Sequence, residues 1–434
     1  YGRDAARYIY WQYEVVSDPQ LTEYIEDLGT KLASHSGQSD RRFAFYFIKD
    51  KAFNAFATWG GNVAVNTGAL LQLEHEGELA ALLAHEIGHV VQEAPARQLE
   101  FGRQLGWPHL AMLAGALLLI ADESELGAAA LIGGMAGSYQ SFFNFSRGQE
   151  READRIGIKI LNDTGYESSY MASLFEQMEQ ASRFQRTIYS EYLSTHPLTE
   201  NRIADARNHA AQFASQLSAS SLNFELMRVR IQDIHSNGSQ NQFEFYRQRI
   251  TGGTHPKEQA NVYGYTLSLM ALGRYAEALE SIDGLINRAG ERIPYLILKS
   301  DILKELDELQ LAKDALSKAQ KKTPNSYAVQ FKLAQVHSAL EEFEAATEIY
   351  QVLIKTRPFD PFVRQQYART LGKQGETGLA HEQQAELYFI LGAFKEAISQ
   401  LKLAKNEFAG NSRKIALLTK RITELEEELK IRKN

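Results

Sequence analysis

Apolar positions early in the chain recur at three- and four-residue intervals. Leu21, Ile25, Leu28 and Leu32 form one stripe, and Asp18-Pro19 ahead of them is a helix start signal, so residues 1 to about 40 read as helical. At Phe43, Phe45 and Phe47 the period falls to two, the alternation of a strand. Val63 and Val65 alternate again beyond the turn signal Gly60-Gly61. A helical pattern returns from about Gly77 to Gln92, then around Glu150 to Leu161 and Leu198 to Leu217. The first half of the chain therefore predicts a mostly helical domain with a small sheet.

Two more apolar runs, Trp107 to Ala121 and Gly127 to Gly137, flank the acidic turn Asp122-Glu123-Ser124-Glu125. Neither reaches the roughly 18 residues of a membrane-spanning helix. They suit a pair of core helices, or a hairpin that leans on a membrane or grips substrate.

The second half repeats itself. Gly273, Asp307, Glu341 and Gly375 are successively 34 residues apart, and Ala278, Ala312, Ala346 and Ala380 keep the same spacing. Tyr275, Leu309 and Phe343 precede the first three of those alanines, and Pro324 and Pro358 fall near repeat ends. A small residue is needed where two helices meet closely, and a bulky one fills the gap beside it. This period resembles the tetratricopeptide repeat, whose helix-turn-helix units stack into a solenoid with an extended concave face. Gly392, Phe394 and Ala397 repeat the pattern at half the distance, so the last unit is irregular. Lys414 to Lys430 reads as a charged amphipathic helix capping the array. We divide the chain into residues 1–217 and 218–434, with Ser236 to Gln242 and Thr251 to Glu258 as loops near the boundary.

With 434 residues, two domains are the natural expectation, and a net charge of −7 argues against a nucleic-acid binder. The absence of cysteine excludes disulfides and thiolate ligands, so any metal must rest on histidine and carboxylate. The sequence opens at Tyr1 with no basic and apolar leader, which suits either a removed signal peptide or a trimmed chain.

The chemistry concentrates in His85-Glu86-Ile87-Gly88-His89, inside the apolar helical stretch Leu79 to Val91. Residues four apart share a helix face, so both imidazoles can converge on one ion, with Glu86 beside them as general base. Zinc fits that donor set and acidifies water, whose proton Glu86 would take and later hand to the leaving amine. A catalytic site needs a third protein ligand. Glu150 is the candidate, with Asp154 four residues on to accept the outer N–H of a ligating histidine. Glu152 competes with Glu150, and a solvated acidic helix face would explain all three.

The HEIGH motif followed by ExxxD resembles the M48 metallopeptidases. Asn54-Ala55-Phe56-Ala57-Thr58-Trp59-Gly60-Gly61 is similar to the family's stretch before the active-site helix, with Trp59 where the family usually has proline. His196-Pro197-Leu198-Thr199-Glu200-Asn201-Arg202 matches its HPxTxxR element, so the likeness spans roughly residues 18 to 210. The resemblance implies a mainly α fold: a zincin-like metalloprotease domain with a small β-sheet, then the tetratricopeptide solenoid. It also implies Glu150 as third ligand to one zinc ion per chain. Joined to the repeats, it narrows to the beta-barrel assembly-enhancing family of the Gram-negative periplasm. That likeness implies a protease and chaperone acting on misfolded or stalled outer-membrane proteins, beside the barrel assembly machinery and the lipopolysaccharide-transport barrel.

Three further readings stay open. Pro197 suits a helix's first turn, which would put His196 just before a helix N-terminus. There His196 is either a packing residue near the cleft or a fourth zinc ligand that keeps the enzyme latent. Arg202 orients a carboxylate, helps stabilise an oxyanion, or makes a surface ion pair. The strand Asn62 to Asn66, through Val63 and Val65, could offer an exposed edge to an extended substrate.

The leading function is a zinc metalloendopeptidase with a protein-binding repeat domain; the rival is a non-proteolytic scaffold or chaperone carried by the repeats. Glu86→Gln separates them. It should keep the metal and abolish casein cleavage, and a cellular effect equal to wild type would favour the scaffold.

Overall fold

The computed structural model describes residues 2–38, 40–58, 60–92, 136–184, 188–214, 221–236, 238–250 and 256–431. Most of the apolar runs between Trp107 and Gly137, as well as Trp59 and the 217/218 division, lie outside the described residues. The chain forms two compact units: residues 1–6 with 24–224, and residues 7–23 with 225–434. Among the described residues no helix is long and apolar enough to cross a membrane.

Helices α1 (Gly2–Gln12) and α2 (Pro19–Ala33) are each divided between the two units, and the first unit continues with a three-stranded sheet of β1 (Ala44–Ile48), β2 (Ala55–Thr58) and β3 (Asn62–Asn66). The stripe Leu21, Ile25, Leu28 and Leu32 is buried, and Asp18 Oδ1 starts α2 by accepting the Gln20 and Leu21 N–H groups at 2.9 and 3.0 Å. The strand order is β1-β3-β2, with β3 parallel to β1 and antiparallel to β2. This corrects one expectation. β3 is the central strand, and its Val63 and Val65 are fully buried, so neither can meet a substrate. Two short strands flank it because Phe45 pairs with Val63 on one side and Ala57 on the other. The edge lying against the long buried helix belongs to β2.

Beyond the sheet come α3 (Thr67–Gln72) and α4 (Glu76–Val91), then α5 (Ala136–Asp163), α6 (Tyr170–Phe184), α7 (Ser190–Thr195) and α8 (Glu200–Ala210). Helix α4 is buried along nearly its whole length, as a helix apolar on all sides must be. Its last carbonyls are still satisfied, Val91 by the Gln38 side-chain amide at 3.1 Å.

Helix α5 packs along α4 more closely than ordinary side chains permit. A Cβ on Gly88 of α4 would stand 2.8 Å from the Ala153 carbonyl oxygen and 3.0 Å from its Cα. A Cβ on Gly157 of α5 would stand 3.2 Å from the backbone of both Ala84 and His85. Bare backbone at these two places sets the depth at which α5 lies.

The second unit is built of antiparallel helix pairs. Tyr275–Ala289, Leu309–Lys322 and Phe343–Thr356 are second helices of successive pairs, and Ala278, Ala312 and Ala346 on them are fully buried. The 34-residue spacing of Gly273, Asp307, Glu341 and Gly375 has a backbone cause: all four have positive φ, from 61° to 88°, at the turn between paired helices. Ala380 is only partly buried, and the tight contact of that pair passes to Gly378 against Phe408. The expected loops are also shorter than read, because Gln240–Arg247 and Pro256–Ala271 are helices. The closing helix is Ser412–Ile431. Residues 7–23 are held within this unit: Asp18 pairs with Arg230, which donates to the Tyr263 hydroxyl at 2.7 Å, and Arg7 pairs with Glu428 at 3.0 Å.

Gly88→Ala tests the close helix crossing. Helix propensity alone would favour alanine by about 1 kcal/mol. Forcing a methyl into the Ala153 backbone should instead cost about 1–3 kcal/mol, read as a lowered urea midpoint.

Candidate metal centre

Helix α4 carries His85 and His89 on one face, both buried together with Glu86. Helix α5 carries Glu150 and Asp154, again four apart and buried. Glu152, between them, is exposed on the opposite side and takes no part in the cluster. The fourth element is the turn after α7. His196 caps that helix, its backbone N–H donating to the Tyr192 carbonyl at 2.8 Å. The expected place of Pro197 in a first helical turn is corrected: α8 begins at Glu200, and Thr199 is its cap, accepting the Arg202 N–H at 3.3 Å. His196 thus lies between two helices.

The structure brings His85, His89, Glu150 and His196 to one centre. His85 Nε2 is 3.1 Å from His89 Nε2 and 3.4 Å from His196 Nδ1, and His89 Nε2 is 3.3 Å from His196 Nδ1. The Glu150 carboxylate is 3.5 Å from His85 Nε2, 3.3 Å from His89 Nε2 and 3.2 Å from His196 Nδ1. The three imidazole nitrogens form a nearly equilateral triangle, and the Glu150 carboxylate closes over it, with Oε2 toward His85 and His196 and Oε1 toward His89. Metal–nitrogen bonds of about 2.0–2.1 Å require tetrahedral edges of about 3.3 Å. The donors therefore fit a tetrahedral divalent ion. Charge agrees: three buried carboxyl groups, Glu86, Glu150 and Asp154, face one buried guanidinium, that of Arg202.

The supporting groups hold this arrangement rigidly. Asp154 Oδ1 lies 2.9 Å from His85 Nδ1, which directs His85 Nε2 toward the centre. Arg202 grips Asp154 with two hydrogen bonds, at 2.8 and 2.9 Å. It also reaches Glu150 at 2.9 Å and donates to the Pro197 carbonyl at 2.9 Å. Arg202 is buried, which excludes the surface ion pair, and its donors go to the two carboxylates that frame the centre.

Burial alone would raise the carboxyl pKa values here, but the partners outweigh it. Glu150 is held far below its usual range by His196, His85 and His89, and Asp154 is lowered by Arg202 and His85. Burial would depress His85, yet Asp154 and Glu150 push it up to about 10, whereas burial prevails at His89 and lowers it.

Sequence reading missed Tyr192. It is buried, its ring is stacked on His196 at 4.6 Å, and its hydroxyl lies 3.5 Å from Glu86 Oε1. Burial, then Glu86 and Glu150, hold its hydroxyl well above the usual phenol range, so it remains a donor. The signal was there in the four-residue step from Tyr192 to His196 along α7, the same step that links His85 to His89. The motif segment Asn54-Ala55 borders this turn: Phe53 packs on Tyr189 and Tyr192, and Asn54 donates to Glu191 at 2.6 Å.

Comparison with known proteins agrees with this geometry. Peptidase family M48 matches residues 19–210. The beta-barrel assembly-enhancing protease of Yersinia pestis is 30% identical over 387 residues, covering 89% of this chain and 79% of that protein. The Escherichia coli K12 protein of the same name is 33% identical over 288 residues, covering 66% of this chain and 59% of the relative. The mitochondrial metalloendopeptidase OMA1 of Schizosaccharomyces pombe is 31% identical over 182 residues, covering 42% of this chain and 51% of that protein. The helix pairs of the second unit follow the 34-residue step of a tetratricopeptide array. The four-donor centre of the first unit lies inside the matched segment, and the likeness to the Yersinia protein runs well past that segment into the repeats, so the chain belongs to the M48 metalloendopeptidases, with the beta-barrel assembly-enhancing proteases as its kin.

Proposed function

We propose that the chain is a zinc endopeptidase held latent by its own fourth histidine, working in the periplasm on outer-membrane proteins that have stalled or misfolded. The observation that carries the latent state is the place of His196 Nδ1, which stands 3.4 Å from His85 Nε2, 3.3 Å from His89 Nε2 and 3.2 Å from Glu150 Oε2, as near to the other donors as the HExxH imidazoles are. A site with four protein ligands is of the structural kind, whereas catalysis needs one position open.

In this reading His85, His89 and Glu150 hold one zinc ion. Asp154 fixes the His85 tautomer, and Arg202 fixes both carboxylates. When bound, the ion supplies Lewis acidity to a peptide carbonyl and to water. Glu86 Oε2 has no hydrogen-bond partner among the described residues, which suits an oxygen that accepts a proton from water and returns it to the leaving amine. Substrate lies as an extended strand along β2, the edge strand beside α4, where backbone hydrogen bonds bind without strong sequence preference. Activation requires His196 to withdraw.

The repeats hold protein partners on their concave face. The names of the Yersinia and Escherichia relatives speak of beta-barrel assembly. They support proteins of beta-barrel assembly as the clients in this reading; the barrel assembly machinery and the lipopolysaccharide-transport barrel as neighbours remain part of the proposal.

Zinc content and casein cleavage together test the reading. Purified protein should hold one zinc ion and cleave slowly, and a chelator should abolish cleavage. His196→Ala should retain zinc and cleave at least tenfold faster; equal or slower cleavage with zinc retained would remove the latent state. Asp154→Asn should weaken zinc affinity about 10–100-fold, measured by competition with a chromogenic chelator.

A further inference from the structure

Tyr192 touches both groups on which latency and catalysis turn. Its ring lies against the His196 imidazole at 4.6 Å with an interplanar angle of 29°. Phe53 meets the same ring edge-on at 5.6 Å and 77°, so the tyrosine is fixed from another side. Its hydroxyl is 3.5 Å from Glu86 Oε1, and His196 Nε2 is 3.6 Å from that same oxygen. In the closed arrangement Glu86 Oε1 therefore has two neighbours able to donate, and Oε2 has no partner among the described residues.

Withdrawal of His196 would remove one of the two. A buried carboxylate with no remaining donor would be free to rotate, and a base that must meet one proton in one direction loses rate when it does. We propose that Tyr192 is a positioning residue for the general base: its hydroxyl keeps hold of Glu86 Oε1 once His196 has left, so that Oε2 stays the proton acceptor. Its ring is also the wall on which the His196 imidazole rests in the closed state. One side chain thus serves both states, by its face in one and its hydroxyl in the other. This rests on Glu86 acting as the base and His196 as the gate.

The test uses full-length zinc-loaded protein in whichever background, wild type or His196→Ala, turns over a fluorogenic peptide faster. Tyr192→Phe keeps the ring and removes the hydroxyl. Zinc content and KM should be unchanged and kcat should fall on the order of tenfold, the loss of one hydrogen bond to an ionised group. Unchanged kcat, or an effect confined to KM, overturns the proposal. Glu86→Gln in the same background is the separate control: if it still turns over, the assignment of the base fails and takes Tyr192 with it. If Glu86→Gln is inactive and Tyr192→Phe is normal, only the role of Tyr192 fails. Tyr192→Ala gives an independent readout. Added phenol should restore turnover where toluene does not, and equal restoration by toluene would reduce Tyr192 to a wall.

Discussion

A carboxylate from one buried helix can meet imidazoles on another only if the two backbones come close enough for short side chains to bridge the gap. In this protein that approach depends on two glycines. Gly88 lets the Ala153 backbone press against α4, and Gly157 lets α5 lie against Ala84 and His85. Glu150 and Asp154 sit on the stretch of α5 so positioned, within reach of His85 and His89. Larger residues at either glycine would lift α5 away and with it the Glu150 carboxylate and the group that orients His85. The packing of two helices and the coordination of an ion are here the same constraint.

Burying so many ionisable groups in one place is costly unless each is matched. Arg202 resolves part of this by joining Asp154 and Glu150 through one planar guanidinium. Its own position is set by Thr199, which starts α8, and by the Pro197 carbonyl, which receives one of its N–H groups. The HPxTxxR element is thus a small mechanical unit. Its histidine, proline carbonyl, cap and arginine all act on the same few ångströms of space. A divalent ion completes the balance, so metal binding and the integrity of this core should be linked.

If His196 is the fourth ligand proposed above, the fold carries a built-in brake. The anchor of His196 differs from that of the other three residues of the cluster. His85, His89 and Glu150 stand within long helices, whereas His196 stands in the turn between α7 and α8. A ligand on a turn can leave without unfolding a helix, and the aromatic packing of Tyr192 and Phe53 behind it defines where it returns. The division suits the latency proposed above.

Much of this was legible in the residues because it rests on local periodicity. Four-residue steps announced the pairs His85/His89 and Glu150/Asp154, and a 34-residue step announced the repeats, even where Asp307 and Glu341 replace glycine at left-handed turns. Strand order was not legible. Val63 and Val65 alternate as an edge strand would, and nothing local reveals that β1 and β2 cover both sides. Nor could spacing choose between the two roles of His196 or the three of Arg202. Those depend on α4, α5 and the α7–α8 turn converging from segments more than 40 residues apart, with Glu150 and His196 separated by 46. Periodicity along a chain tells which side chains share a face; which faces meet is settled by long-range packing, and the chemistry of this centre exists only where they do.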